Sequence, residues 1–120
     1  MPYFLQKNPI QVPVPGGKVI EEHAGRLATS ETEISIARMT APPGWGEPFQ
    51  QPDFDEYTLV SRGRKLVEVD GEKLTVGAGQ SILIKKGSRV RYSNPFEEDC
   101  EYWSICLPAF SIETVHRSDG

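Results

Sequence analysis

The chain has 120 residues, 13 of them basic and 17 acidic, for a formal net charge of −4; 38% are apolar and 25% charged. That is the length of one ordinary domain able to bury a core of its own, and the composition excludes a disordered chain. The longest uncharged apolar stretches (82–84 and 104–110) are far below the about 20 residues of a membrane-spanning helix. The acidic balance speaks against nucleic acid, whose phosphates require clustered Lys and Arg.

In chain order, residues 1–15 carry four prolines (Pro2, Pro9, Pro13, Pro15) and read as an irregular arm. Residues 16–120 read as one barrel domain. Alternating or β-branched runs predict strands over 18–23, 32–39, 56–61, 64–69, 72–76, 81–84, 89–93 and 101–107. Asp70-Gly71 between two such runs predicts a hairpin, because both residues accept the positive φ of a type I′ turn. Gly77-Ala78-Gly79 and Lys86-Gly87-Ser88 mark the next turns. A single helical turn is predicted over 111–116, with Ser111 placed to cap it. Many short strands joined by tight turns predict an all-β sandwich or barrel with little helix.

The two cysteines, Cys100 and Cys106, fall on one predicted strand. A strand would hold their Cα atoms roughly 20 Å apart, well beyond the reach of a disulfide. Free thiols are expected, and with them a reducing compartment, the cytoplasm. Residues 1–10 lack the basic start and apolar run of a signal peptide, which agrees with that expectation.

Two spacings then stand out. Glu56 is followed by Gly63, and Gly79, Gly87 and Asn94 follow in a second pattern. Together they resemble the two motifs of the cupin superfamily, jelly-roll β-barrels. That resemblance implies two motif-one histidines before the glutamate, at 49 and 51 or at 50 and 52, and a motif-two histidine at 90. This chain has Phe49 and Gln51, or Gln50 and Pro52, and it has Val90. Lys85 stands where motif two has its proline. The three histidines and glutamate that usually hold a metal in the family are thus reduced to Glu56. No cofactor is expected; the route back to a divalent metal would be a rebuilt site of Gln51, Glu56 and His116.

The resemblance places Glu56 inward, and alternation carries Tyr92 inward beside Val90. Desolvation in a barrel of Val, Ile and Leu disfavours the carboxylate's charged form and makes Glu56 a general acid or base. Tyr92 can donate to it or to an oxyanion. His116 is the third catalytic candidate, a proton shuttle returned by the C-terminal tail. Gln51, Trp45 and Glu47 are candidate substrate contacts at the barrel mouth. Arg38 is another if Ile34 and Ile36, which share its face, point inward.

The expected function is a small-molecule-binding cupin acting as a metal-independent acid–base enzyme, of dehydratase, isomerase or lyase type, on a polar metabolite. The alternatives are a non-catalytic metabolite sensor and a metalloprotein with a displaced site. The resemblance also implies a homodimer paired through the N-terminal arm.

Overall fold

Asp70 and Gly71 adopt φ of 46° and 87°, and the hairpin they close is in register from Val69 opposite Glu72 to Arg64 opposite Gly77. The same local logic accounts for most of the chain. The computed structural model describes residues 2–118. It contains β1 (Ile10–Gln11), β2 (Val19–Ala24), β3 (Ser35–Ala41), β4 (Asp55–Arg62) and β5 (Arg64–Val69). These are followed by β6 (Glu72–Gly77), β7 (Ser81–Ile84), β8 (Val90–Ser93), β9 (Cys100–Leu107) and α1 (Ile112–Val115). No helix among the described residues is long and apolar enough to cross a membrane.

All eight expected strands are present, and one differs materially. β3 starts at Ser35 rather than at 32, because Thr32 accepts a hydrogen bond from the Ala109 amide instead of joining a ladder. It runs on to Ala41, which pairs with Cys100. The arm also contains β1, which the prolines around it concealed; Ile10 and Gln11 pair with Glu22 and Glu21.

The strands form two antiparallel sheets, one in the order β1-β2-β3-β9-β4-β7 and one in the order β6-β5-β8. The segment before β4 runs along β8 through bridges at Gly46–Ser93 and Gln50–Val90 and extends the smaller sheet. The result is an all-β jelly-roll barrel. Between the sheets lies a core of Ala41, Trp45, Val60, Val67, Val76, Ile84, Val90, Tyr92, Cys100 and Tyr102. Strict alternation supplies it: along β9, Cys100, Tyr102, Ser104 and Cys106 are buried and the residues between them are not. Both cysteines are free.

Two motif residues act as fold chemistry. Gly63 (φ 78°) sits where a Cβ would fall 2.3 Å from the Asp99 carbonyl, so only glycine fits that turn. Asn94 is fully buried; its Nδ2 donates to the carbonyls of Ala41 (3.0 Å) and Glu98 (2.8 Å), and its Oδ1 accepts from the Phe96 amide (3.1 Å).

Candidate functional site

The packed core fills one part of the barrel. The rest is a cavity of about 430 Å³, within the usual size range of small-molecule sites. It is walled by the inward residues of β2, β3, β4, β5, β8 and β9. Its rim carries the exposed residues Arg26 and Leu27 of the β2–β3 loop and Ile112 and Glu113 of α1. Glu22 braces that rim from within: its carboxylate accepts the amides of Leu27 (3.0 Å) and Ala28 (2.7 Å).

Glu56 lies on the cavity wall, 8% exposed, opposite Cys106 on β9. Its Oε1 accepts the Tyr92 hydroxyl at 3.1 Å, and its Oε2 accepts the Ser104 hydroxyl. Burial, with Glu56 alongside, pushes the Tyr92 phenol well above its ordinary range, so Tyr92 keeps its proton and acts as a donor. Ser104 was missed by the sequence reading, although it shares the period-two face of Cys100 and Cys106.

The wall expected to be purely apolar contains two ammonium groups. Lys65 on β5 is 1% exposed, with Nζ 4.0 Å from the Tyr92 ring centroid and 3.6 Å from that of Tyr102. Lys18, just before β2, holds its Nζ 4.3 Å from the Trp45 ring. Burial lowers both lysines, Lys65 to about 8, while Glu56 and Glu47 pull in the opposite direction. The signal was present in the sequence. Lys65 alternates with Val67 and Val69, and that shared face turns inward.

The other candidates are placed as follows. Glu47 lines the cavity, 3.9 Å from Arg117 Nη2. Trp45 does not line it; it is buried in the packed core, with Lys18, which does line the cavity, over its ring. Gln51 is corrected by one residue. It is exposed and donates to the Gly87 carbonyl, whereas Gln50 is 4% exposed and lines the cavity. Backbone hydrogen bonds in both directions between Gln50 and Val90 fix that register. Arg38 is corrected to the outer face, where it pairs with Glu101 (2.6 Å) and Glu21 (3.4 Å). On β3 it is Ser35, Ala37 and Met39, not the isoleucine face, that line the cavity. His116 is corrected as well: it is half-exposed and bound to Asp53 at 2.6 Å, outside the cavity. The tail does return to the barrel, but it delivers Arg117 to the wall.

The residues at the family's ligand positions are now Gln50, Pro52, Glu56 and Val90. Only Glu56 is an anionic donor, both its oxygens already accept hydroxyls, and two ammonium groups share its cavity. The rebuilt set of Gln51, Glu56 and His116 is not brought together, since two of its members lie outside the cavity. Among the described residues no three His, Cys, Asp or Glu side chains converge. This donor set does not fit a divalent cation.

An antiparallel jelly-roll barrel with a polar cluster on the wall of a small, mostly apolar cavity defines a small-molecule-binding β-barrel. The Cupin_2 family (cupin domain) matches residues 37–106, and the chain belongs to it. Among curated proteins, it is 45% identical over 105 residues to the endoribonuclease YbeY of Myxococcus xanthus (strain DK1622), covering 88% of this chain and 36% of that protein. The chain therefore spans about a third of that relative's length. Among solved structures, it resembles Streptomyces PAC13, solved as a variant with uridine, at a TM-score of 0.76 with 13% identity, over 99% of this chain and 92% of that one. It also resembles KdgF from a Halomonas species at a TM-score of 0.73 with 16% identity, over 85% and 88% of the two chains. Both likenesses are likenesses of fold.

Proposed function

We propose that the chain is a metal-independent acid–base enzyme, of dehydratase, isomerase or lyase type, acting on a small polar metabolite in the barrel cavity. One observation carries this reading: Glu56, oriented by two hydroxyl donors, shares an otherwise largely apolar cavity with two ammonium groups and no metal-ligand set. A carboxylate so held can take a proton from, or return one to, a carbon or hydroxyl of the ligand. The positive charge of Lys65 and Lys18 faces the oxygen on which negative charge then develops, the task a metal performs elsewhere. The two free thiols suit a reducing compartment, and we place the protein in the cytoplasm on that ground. The activity in the name of the longer Myxococcus relative is not carried over, because this chain spans only 36% of it.

The test is deuterium exchange. Chelator-treated protein is incubated in D₂O with a panel of hydroxy-aldehydes and hydroxy-ketones, and label at carbon is read by mass spectrometry. Wild type is expected to exchange at least one of them. Glu56→Gln should lose about a hundredfold or more in rate, and His116→Ala should match wild type. Ligand binding without exchange would favour the sensor reading. Exchange that requires added metal would favour a metalloprotein.

We propose further that the chain forms a homodimer through its N-terminal arm, where Tyr3, Phe4 and Leu5 are 71%, 71% and 69% exposed. Light scattering should give a dimer for the full chain and a monomer after deletion of residues 1–9. A monomer for the full chain at high concentration would overturn it.

A further inference from the structure

We propose that Lys65 is a carbonyl-capturing nucleophile, forming an imine with an aldehyde or ketone that enters the barrel cavity. The proposal deepens the acid–base reading by naming the substrate's reacting group.

The geometry carries it. Lys65 is 1% exposed, yet it lines a cavity that opens at the rim between the β2–β3 loop and α1. Among the described residues its Nζ has no hydrogen bond and no ion pair; its contacts are the faces of Tyr92 and Tyr102. An ammonium so placed has two aromatic faces beside it but no hydrogen-bond acceptor or counter-ion in contact. Burying a charge without such partners is costly, and the cost shifts the lysine toward its neutral form, so that a minor but reactive share is unprotonated at pH 7. The titratable groups facing it are Glu56 on β4, Glu47 in the loop before it, Lys18 before β2, Tyr92 on β8, and Cys100 and Tyr102 on β9, while the paired strand β6 sets the apolar Val76 opposite it. Burial is the largest influence and Lys18 adds to it, so the amine titrates near 8 in spite of the two glutamates. At pH 7 the neutral fraction of such a group exceeds that of an ordinary lysine by roughly two orders of magnitude. A desolvated lysine beside a second cation is a recognised way to activate an amine toward carbonyls.

The chemistry balances without an external reactant. The Lys65 nitrogen adds its lone pair to the carbonyl carbon. One N–H proton moves to the alkoxide oxygen, giving a carbinolamine. The second N–H proton leaves with that hydroxyl as water, and a C=N bond replaces the C=O bond. Glu56, which lines the same cavity from the other sheet, is placed to relay these protons.

The experiment uses the full chain with glyceraldehyde or pyruvate as probe and cyanoborohydride to trap the imine as a secondary amine, followed by peptide mass mapping. At pH 7 Lys65 is expected to be modified more than about tenfold faster than the exposed Lys73. Lys65→Arg keeps the charge and should abolish this fast adduct while surface adducts remain. Lys18→Gln should keep the adduct and move its pH midpoint upward. Glu56→Gln should still trap at Lys65 even where it stops deuterium exchange, so the two readings fail separately. Modification of Lys65 no faster than Lys73 overturns the proposal, as does an adduct that appears only after unfolding. A fast adduct that maps to Lys18 in both wild type and Lys65→Arg overturns it too.

Discussion

Lys65→Met is expected to unfold at a higher temperature than wild type at pH 7. In the folded chain the Lys65 ammonium titrates near 8, against an ordinary value of 10.5, because burial removes its water. Below pH 8 both folded and unfolded states carry the proton, and the folded state bears the full penalty, about 3 kcal/mol. Between pH 8 and 10.5 the unfolded state binds more protons, so this group's contribution to stability rises with pH. Methionine fills a similar volume with no charge to desolvate. Part of the gain is lost because Glu56 no longer faces a second cation. A net gain of about 2 kcal/mol, roughly 8 °C in Tm, is expected at pH 7. It should shrink toward zero as pH approaches 10. The raised thiols and phenols of Cys100, Cys106, Tyr92 and Tyr102 work in the opposite direction above pH 9, because the folded state holds their protons longer. Both proteins share those groups, so the difference between their urea midpoints isolates Lys65. A variant no more stable than wild type at pH 7 would mean that Lys65 is solvated through the cavity.

Glu56→Ala is expected to be the most damaging single change at the site, costing about 3–4 kcal/mol. It leaves the Tyr92 and Ser104 hydroxyls without their shared acceptor and removes the carboxylate that acts most strongly on Lys65. Glu56→Gln keeps the shape and one acceptor oxygen, so it should cost less than half as much. In the Glu56→Ala background Lys65→Met should stabilise more than it does in wild type, because the lysine there lacks its counter-charge. The expected coupling from the four urea midpoints is about 1–3 kcal/mol. Strict additivity would show that the two residues do not act on one another.

The deuterium-exchange and trapping experiments ask whether the same two residues also perform chemistry. In the proposed reading, stability and reactivity have one origin: a carboxylate and an amine held where water is scarce. A chain kept only for binding could fill these positions with apolar side chains and be more stable for it.

The legible part of the site followed from spacing. Glu56 and Tyr92 could be put on one cavity because each belongs to a strand whose inward phase the motif resemblance supplied. Glu47 was found from its place in the loop before β4. Lys65, Lys18, Ser104 and Gln50 were not found, since nothing local separates a lysine that turns inward from one that turns to water. Arg38 and Gln51 failed for the complementary reason, a phase error of one residue.

What the sequence determined by itself is local. Asp70-Gly71 closes a hairpin because those residues tolerate positive φ, and alternating runs form strands because every second side chain shares a face. Alternation is silent about which face turns inward. On β3 the choice between Ile34, Ile36 and Arg38 on one side and Ser35, Ala37 and Met39 on the other was made by the pairing with β9, which sets Ala37 opposite Ser104. The choice between Gln50 and Gln51 was made by the bridge to Val90. Such a phase is a property of two strands at once. A slip of one residue exchanges the buried set for the exposed set, and only the sum of burial across both sheets decides between them.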